Sequence, residues 1–400
     1  MGVASKDFVP LIFALVAPIV PAILLLASQA SFGSISDLPE YYAAAKMILA
    51  GQGSHIYSPA DLAAFQRDLF PSMGDRCVLL YVPPFALPWL FPLSLLPVQA
   101  VQLLWPLLLL LAFIGSLIVL RAVFRLRNRS LLYLWAVLVI SGPLYESLRI
   151  GQLAPLLLLA FSGCLWALEA KRPMAAGLAL GFLLLKPQEI LPFLAYLAGA
   201  RRYRVLIGLG IVALVLAGIS LTMIGQNGYV AYLDLLRDSI ENSAPMQPEL
   251  QPNLRGQLLR VWPEQKLAIA SLSSGLAALT LVFIFFCGRK FGRRRQWLLA
   301  GLLLALPLGL VTAPFIHDYD LLLVVPSAVA LSQSSLVRKL PAWAGLTLVL
   351  LTPAFLLPAY VFIHYNYLLK GAVLNPLFLL ILIFACGLVW LVIRNPEELD

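Results

Sequence analysis

The sequence predicts an all-α, polytopic integral membrane protein with about 12 membrane helices. Three observations carry that reading. First, 61% of the 400 residues are hydrophobic and only 12% charged, with a mean hydropathy of +0.92, whereas a soluble domain carries about twice that charged fraction. Second, the apolar residues come in runs of roughly 20, the length a helix needs to cross a hydrocarbon core of about 30 Å. Third, basic residues cluster between the runs, at Arg121–Arg129, Lys171–Arg172, Arg201–Arg204, Arg289–Arg295 and Arg338–Lys339, as they do in cytoplasmic loops. Backbone groups in lipid must bond within their own segment, so the runs are helices. The alternating segments of about ten residues that build a barrel are absent from the sequence. The net charge of +9 is therefore a topology signal, and no nucleic-acid partner is expected.

With Lys6 and each basic cluster inside, the chain threads as one domain, 1–400. The run 8–30 is too long for a signal-peptide core and reads as a retained first helix. A polar segment, 31–76, then lies outside and holds two amphipathic helices, Pro39–Leu49 and Pro59–Phe70. Crossings follow at 98–120, 130–148, 153–168 and 205–224, and a second outside loop at 225–265. Further crossings at 266–287, 297–313, 321–336, 340–361 and 372–393 return the C-terminus to the inside, in what reads as a bacterial plasma membrane. Two regions break the pattern. The segment 82–97 carries Pro83, Pro84, Pro88, Pro92 and Pro97, which precludes a straight helix. The segment 173–200 has basic residues at both ends and a break at Lys186–Pro187, and reads as a hairpin of two short helices. The four cysteines are scattered, with neither a CxxC pair nor a disulfide framework.

In this topology 13 of the 19 acidic residues fall outside. Carboxylates contribute little to topology, so their concentration there points to a site. Asp37 precedes the first amphipathic helix, with Glu40 three residues on. That spacing fits a helix cap with a box-like partner, and equally a general base just above the bilayer. Tyr41 lies beside the pair, and Tyr81 leads the proline-rich segment, which suits an interfacial anchor or the wall of a lipid groove. In the turn YESLRIGQLAP, Glu146 and Arg149 are placed for an intrahelical ion pair. Alternatively, Arg149 binds a phosphate and Gln152 a sugar. Lys186 is an ionisable group at membrane depth, a functional candidate unless it snorkels to the inner surface. His317, Asp318 and Asp320 sit where a later helix meets the outer boundary. One histidine and two aspartates on one turn are a weak metal set, so they read as phosphate or sugar contacts with no metal. His55 reads as solvated and His364 as interfacial.

Five stretches together resemble the polyprenyl-phosphate-sugar-dependent membrane glycosyltransferases of the GT-C type, specifically glycosyltransferase family 87. They are SDLPEYYAAAKMILAGQGSHIYSP, YVPPFALPWLFPLSLLP, RIGQLAPLLLLA, FLLLKPQEILPFL and HDYDLLLVVP, in the family's order and spanning most of the chain. The resemblance implies a GT-C-like enzyme whose extracytoplasmic site moves a sugar, typically mannose, from a polyprenyl-phosphate donor to a lipid-linked or glycan acceptor. It implies Asp37 as the general base and His317 as a ligand of the donor phosphate, with Arg149 and Lys186 as further phosphate contacts. Glu40, Tyr41, Tyr81, Gln152, Asp318 and Asp320 would then contact sugar or acceptor. In the family a tyrosine often follows the histidine directly; here Asp318 intervenes before Tyr319. No cofactor is expected, because cationic donors can hold a phosphate leaving group without a metal clamp. Two other classes share the composition: a flippase for lipid-linked sugars, which would more naturally show inverted repeats, and a non-catalytic assembly subunit in which Asp37 is only a cap.

Overall fold

A computed structural model describes residues 36–74, 76–126, 135, 141–241, 251–292, 295–333 and 374–394. The expected crossings at 8–30 and 340–361, and His364, lie outside the described residues. Among the described residues every regular element is helical.

The chain enters with α1 (Leu38–Leu49) and α2 (Pro59–Leu69), joined by a short turn, Gly53–His55. Both helices begin with proline in the first turn, where its missing N–H costs nothing. Ser58 caps α2 by accepting from the Asp61 N–H, which makes a helix of that polar stretch. His55 is solvated as its setting suggested, paired with Asp61 at 3.0 Å. The proline-rich stretch folds into a short helical run over Pro84–Leu95, 3₁₀ at Pro84–Ala86, α at Leu87–Leu90 and 3₁₀ again at Phe91–Leu95. It is tied down by two tyrosines: Tyr42 donates to the Leu96 carbonyl at 2.9 Å and Tyr57 to the Val82 carbonyl at 3.0 Å.

Three described helices are long and apolar enough to cross a membrane: α3 (Val98–Phe124), α8 (Tyr203–Glu241) over residues 203–239, and α10 (Lys266–Phe291). At 27 residues, α3 is about 40 Å long, enough to span with tilt. Over residues 103–118 its exposed residues are leucines and isoleucine (Leu103, Leu104, Leu107, Leu108, Leu111, Ile118), and Leu214 of α8 is 76% exposed. Apolar faces this continuous are disfavoured in water and favoured in lipid. A glycine kink divides α8 at Gly225 (φ 65°), where the expected crossing 205–224 ends.

Between these spans lie shorter pieces. The helices α4 (Gly142–Ile150) and α5 (Ala154–Glu169) meet at 119°, so the turn expected there is a sharp elbow. The pair α6 (Pro173–Leu180) and α7 (Pro187–Gly199), with the 3₁₀ turn Gly181–Leu185 between, forms the segment broken at Lys186. After α9 (Leu254–Val261) come α10, α11 (Arg295–Thr312), the 3₁₀ stretch Asp318–Val324, α12 (Val325–Gln333) and α13 (Pro376–Arg394). Helix α3 packs on α5, α6 on α8, α7 on α10 and α11, and the Asp318–Val324 stretch on α4 and α5. That last contact carries the late motif to the elbow.

Candidate active site

The site is organised around Asp37. The sequence spacing suggested a helix cap, but the Asp37 carboxylate makes no capping bond. Ser36 takes that part, its hydroxyl oxygen accepting from the Leu38 N–H at 3.1 Å. Asp37 is thereby free to turn across the fold, where its carboxylate accepts from the Gln152 side-chain amide. The backbone fixes the same junction. The Asp37 N–H donates to the Ile150 carbonyl at 2.8 Å and the Ser36 hydroxyl to the same oxygen at 3.1 Å.

Gln152 reaches Asp37 because the elbow between α4 and α5 presents it. Gly151 ends α4 in the left-handed conformation (φ 83°), which a side chain resists. The Gly151 and Gln152 N–H groups both donate back to the Ser147 carbonyl, closing the helix end. Trp105 of α3 locks the turn, its indole N–H donating to the Gly151 carbonyl at 2.9 Å. A buried tryptophan needs such a partner, and here the bond fixes the loop that carries Gln152.

The partner of Asp37 is thus a neutral amide, and burial dominates its acidity. Burial raises the Asp37 pKa from 3.8 to about 6, against the lowering pull of the Gln152 amide and of Arg76, Lys186 and Arg149. Glu40 goes further: burial, and then the neighbouring Asp37 charge, hold its carboxyl well above the usual range. Both carboxyls of the first segment are thus less acidic than in water, Glu40 more so than Asp37, and environments that push neighbouring carboxyls apart are typical of acid–base sites.

The opposite wall is built by the late motif. Lys186 places its Nζ 2.5 Å from Asp320 Oδ1 and 4.0 Å from Glu189 Oε1, and lies over the Tyr319 ring at 4.6 Å. By sequence Lys186 could equally snorkel to the inner surface. The 3₁₀ turn before it brings the ammonium to the late motif instead, where it also acts on Asp37. Asp320 in turn accepts the His317 backbone N–H at 2.9 Å, and the His317 ring stacks on Tyr319, with centroids 5.1 Å apart. Burial pushes the His317 pKa down to about 4, so at neutral pH its imidazole is an uncharged donor rather than the cation expected of a phosphate ligand. Asp318 is pushed up to about 6, chiefly by burial, with the Tyr319 N–H pulling it back.

Arg149 pairs with Glu146 through two guanidinium nitrogens, as their spacing suggested. It also lies close enough to Asp37 and Asp318 to act on both. Tyr41 is fully buried and packs its ring 6.0 Å from Trp105, which makes it part of the wall. Tyr81 is half-buried, within reach of the Glu40 charge. The structure thus brings Asp37, Glu40, Tyr41, Gln152, Arg149, Lys186, His317, Asp318 and Asp320 into one neighbourhood, with Tyr81 at its edge. Among the described residues no three His, Cys, Asp or Glu side chains form a metal-binding group.

Sequence reasoning passed over Arg76, Glu189 and a buried polar cluster at the start of α9. In that cluster Asn253 donates to the Ala313 carbonyl at 3.0 Å, Arg255 donates to the Pro314 carbonyl at 3.4 Å and lies 4.5 Å from the Phe315 ring centroid, and Gln257 accepts from the Asn375 N–H at 2.7 Å. These contacts hold the residues just before His317. Buried Asn, Arg and Gln within nine residues of a loop, QPNLRGQLL, were the available signal.

The chain is 27% identical over 257 residues to a polyprenol-phosphate-mannose-dependent alpha-(1-2)-phosphatidylinositol pentamannoside mannosyltransferase of Mycobacterium tuberculosis, a match covering 61% of this chain and 56% of that protein. It is 26% identical over 283 residues to the protein of the same name from Mycolicibacterium smegmatis, covering 69% of this chain and 67% of that one. No solved structure matches the chain. The sequence model of glycosyltransferase family 87 matches residues 80–314, a stretch that holds Arg149, Gln152 and Lys186 and stops short of Asp37 and His317. That stretch is more than half of the chain, and the protein belongs to glycosyltransferase family 87.

Proposed function

We propose that the protein transfers mannose from a polyprenyl-phosphate-mannose donor to a lipid-linked acceptor, with inversion, in a site on the extracytoplasmic side of the membrane. The observation that carries the reading is the amide-held Asp37, beside Glu40 and set among Arg149, Lys186 and His317. A general base works best with a pKa near the working pH, and burial brings Asp37 there. The acceptor hydroxyl gives its proton to Asp37 as its oxygen bonds to the sugar's anomeric carbon. The bond from that carbon to the phosphate oxygen breaks, and polyprenyl monophosphate leaves with the electron pair. Arg149, Lys186 and the neutral His317 imidazole stabilise the phosphate as charge builds on it, without a metal. Both mycobacterial relatives are named for a polyprenol-phosphate-mannose donor and a phosphatidylinositol-based acceptor, which supports donor and acceptor of these kinds here.

The test is to incubate the purified protein with labelled polyprenyl-phosphate-mannose and a membrane lipid extract. Mannose should appear in a lipid product as polyprenyl phosphate is released. If the donor stays intact while lipids move across proteoliposome bilayers, the transporter reading takes its place.

A further inference from the structure

Arg149 and Lys186 are each met by a carboxylate, Glu146 and Asp320. Arg76 is built differently. It follows the turn Pro71–Met73 and Gly74, with its N–H on the Met73 carbonyl at 3.2 Å. Two residues on, the fully buried Gln66 of α2 grips the backbone of Val78 twice, donating to its carbonyl at 2.8 Å and accepting from its N–H at 3.0 Å. That two-point clamp holds a stretch with no helix or strand of its own. The side chain it positions is half-buried, and its Nη1 is buried with no hydrogen-bond partner. Yet Arg76 lies near enough to Asp37 to act on its charge, without forming an ion pair with it or with any other described residue. An arginine kept for stability would be expected to close on that carboxylate. Leaving a charged donor buried and unmet is costly, and an oxyanion that satisfies the guanidinium fork recovers the cost.

We propose that Arg76 binds a phosphate group of a lipid substrate beside Asp37, a role that rests on the reading of the site as one that handles phosphate-bearing lipids. The phosphate belongs either to the polyprenyl donor or to the phospholipid headgroup of the acceptor.

Binding is measured in nanodiscs for wild type, Arg76→Gln and Arg76→Lys, with three probes: polyprenyl monophosphate, the matching polyprenol, and phosphatidylinositol. Thermal unfolding of each variant in detergent confirms that it is folded. Wild type should prefer polyprenyl monophosphate to polyprenol. Arg76→Gln should lose roughly ten- to a hundred-fold in affinity for one phosphate probe, the cost of a lost charge-assisted pair, with polyprenol binding unmoved and Arg76→Lys intermediate. A loss confined to polyprenyl monophosphate assigns the donor phosphate, and a loss confined to phosphatidylinositol assigns the acceptor's. Wild type discriminating between phosphate and alcohol while folded Arg76→Gln binds both phosphate probes normally overturns the role of Arg76 alone. Wild type failing to discriminate at all overturns the phosphate-handling reading together with it.

Discussion

Asp37, half-buried, and Asp320, fully buried, lie near the same lysine, yet their surroundings differ in kind. Asp320 is met directly by the Lys186 ammonium at 2.5 Å and by the His317 backbone N–H at 2.9 Å, which tie it to the lysine and to the histidine turn. Asp37 meets the Gln152 amide and feels Lys186, Arg149 and Arg76 only through space. A carboxylate bonded to an ammonium serves to place that ammonium, whereas one held by a neutral donor stays available as a proton acceptor. On the proposed reading of the site, Asp320 positions Lys186 and the His317 turn, and Asp37 takes the proton.

The largest effect that would break the contrast is expected at Asp37 itself. Asp37→Asn keeps an oxygen to accept the Gln152 amide and removes the base, so mannosyl transfer should fall about 10²- to 10⁴-fold, read as label transfer per folded protein. Stability should move the other way. A carboxyl whose folded pKa is raised from 3.8 to about 6 destabilises the fold while ionised. That penalty builds as pH rises from 4 to 6 and is complete above it. Asp37→Asn should therefore melt at or above the wild-type temperature at pH 7.5, with the gap closing toward pH 4. A cap or packing residue would instead lose Tm on the same change.

Next comes the Lys186–Asp320 pair. Lys186→Met strands a buried carboxylate and should cost about 3–5 kcal/mol of stability, while Lys186→Met with Asp320→Leu should recover much of it. Recovery of Tm without recovery of transfer would separate the structural pairing from the role of Lys186 toward the donor phosphate. Gln152→Leu should act more mildly. It removes the hydrogen bond that lowers the Asp37 pKa, so the acidic limb of the pH–rate profile should move to higher pH, with a loss of transfer equivalent to about 1–2 kcal/mol. An unmoved limb would deny the amide its role. The smallest effect is expected at Ser36→Ala, which removes the bond to the Leu38 N–H and should cost about 1 kcal/mol of stability with the pH limb unchanged.

The contrast also marks how far the sequence could be read. Apolar length and proline placement were enough for α3, for the end of the 205–224 crossing at Gly225 and for the break at Lys186, because each is set by residues within a few positions; the two short helices around that break pack on α8 and on α10 and α11 rather than on each other as the expected hairpin. The Glu146–Arg149 pair was legible for the same reason, being one turn apart. Asp37 was only half legible. Its spacing to Glu40 matched a local cap, and nothing within the segment announced that Ser36 would do the capping while Asp37 crossed to Gln152, 115 residues away. Lys186 was left open between the site and the inner surface because charge patterning ranks loops by side and says nothing of a partner 134 residues on. The polar cluster at 251–257 went unread because its partners, Ala313, Pro314 and Asn375, are brought to it by the packing of helices.

The central claim, that Asp37 is a base held near pH 6 by burial against a neutral amide, is tested most directly by single-turnover transfer from polyprenyl-phosphate-mannose between pH 5 and 8. Wild type should lose rate as pH falls through about 6, while the small residual rate of Asp37→Asn should stay flat across the range. An Asp37→Asn enzyme that turns over at the wild-type rate, or that keeps the same acidic limb, would contradict it.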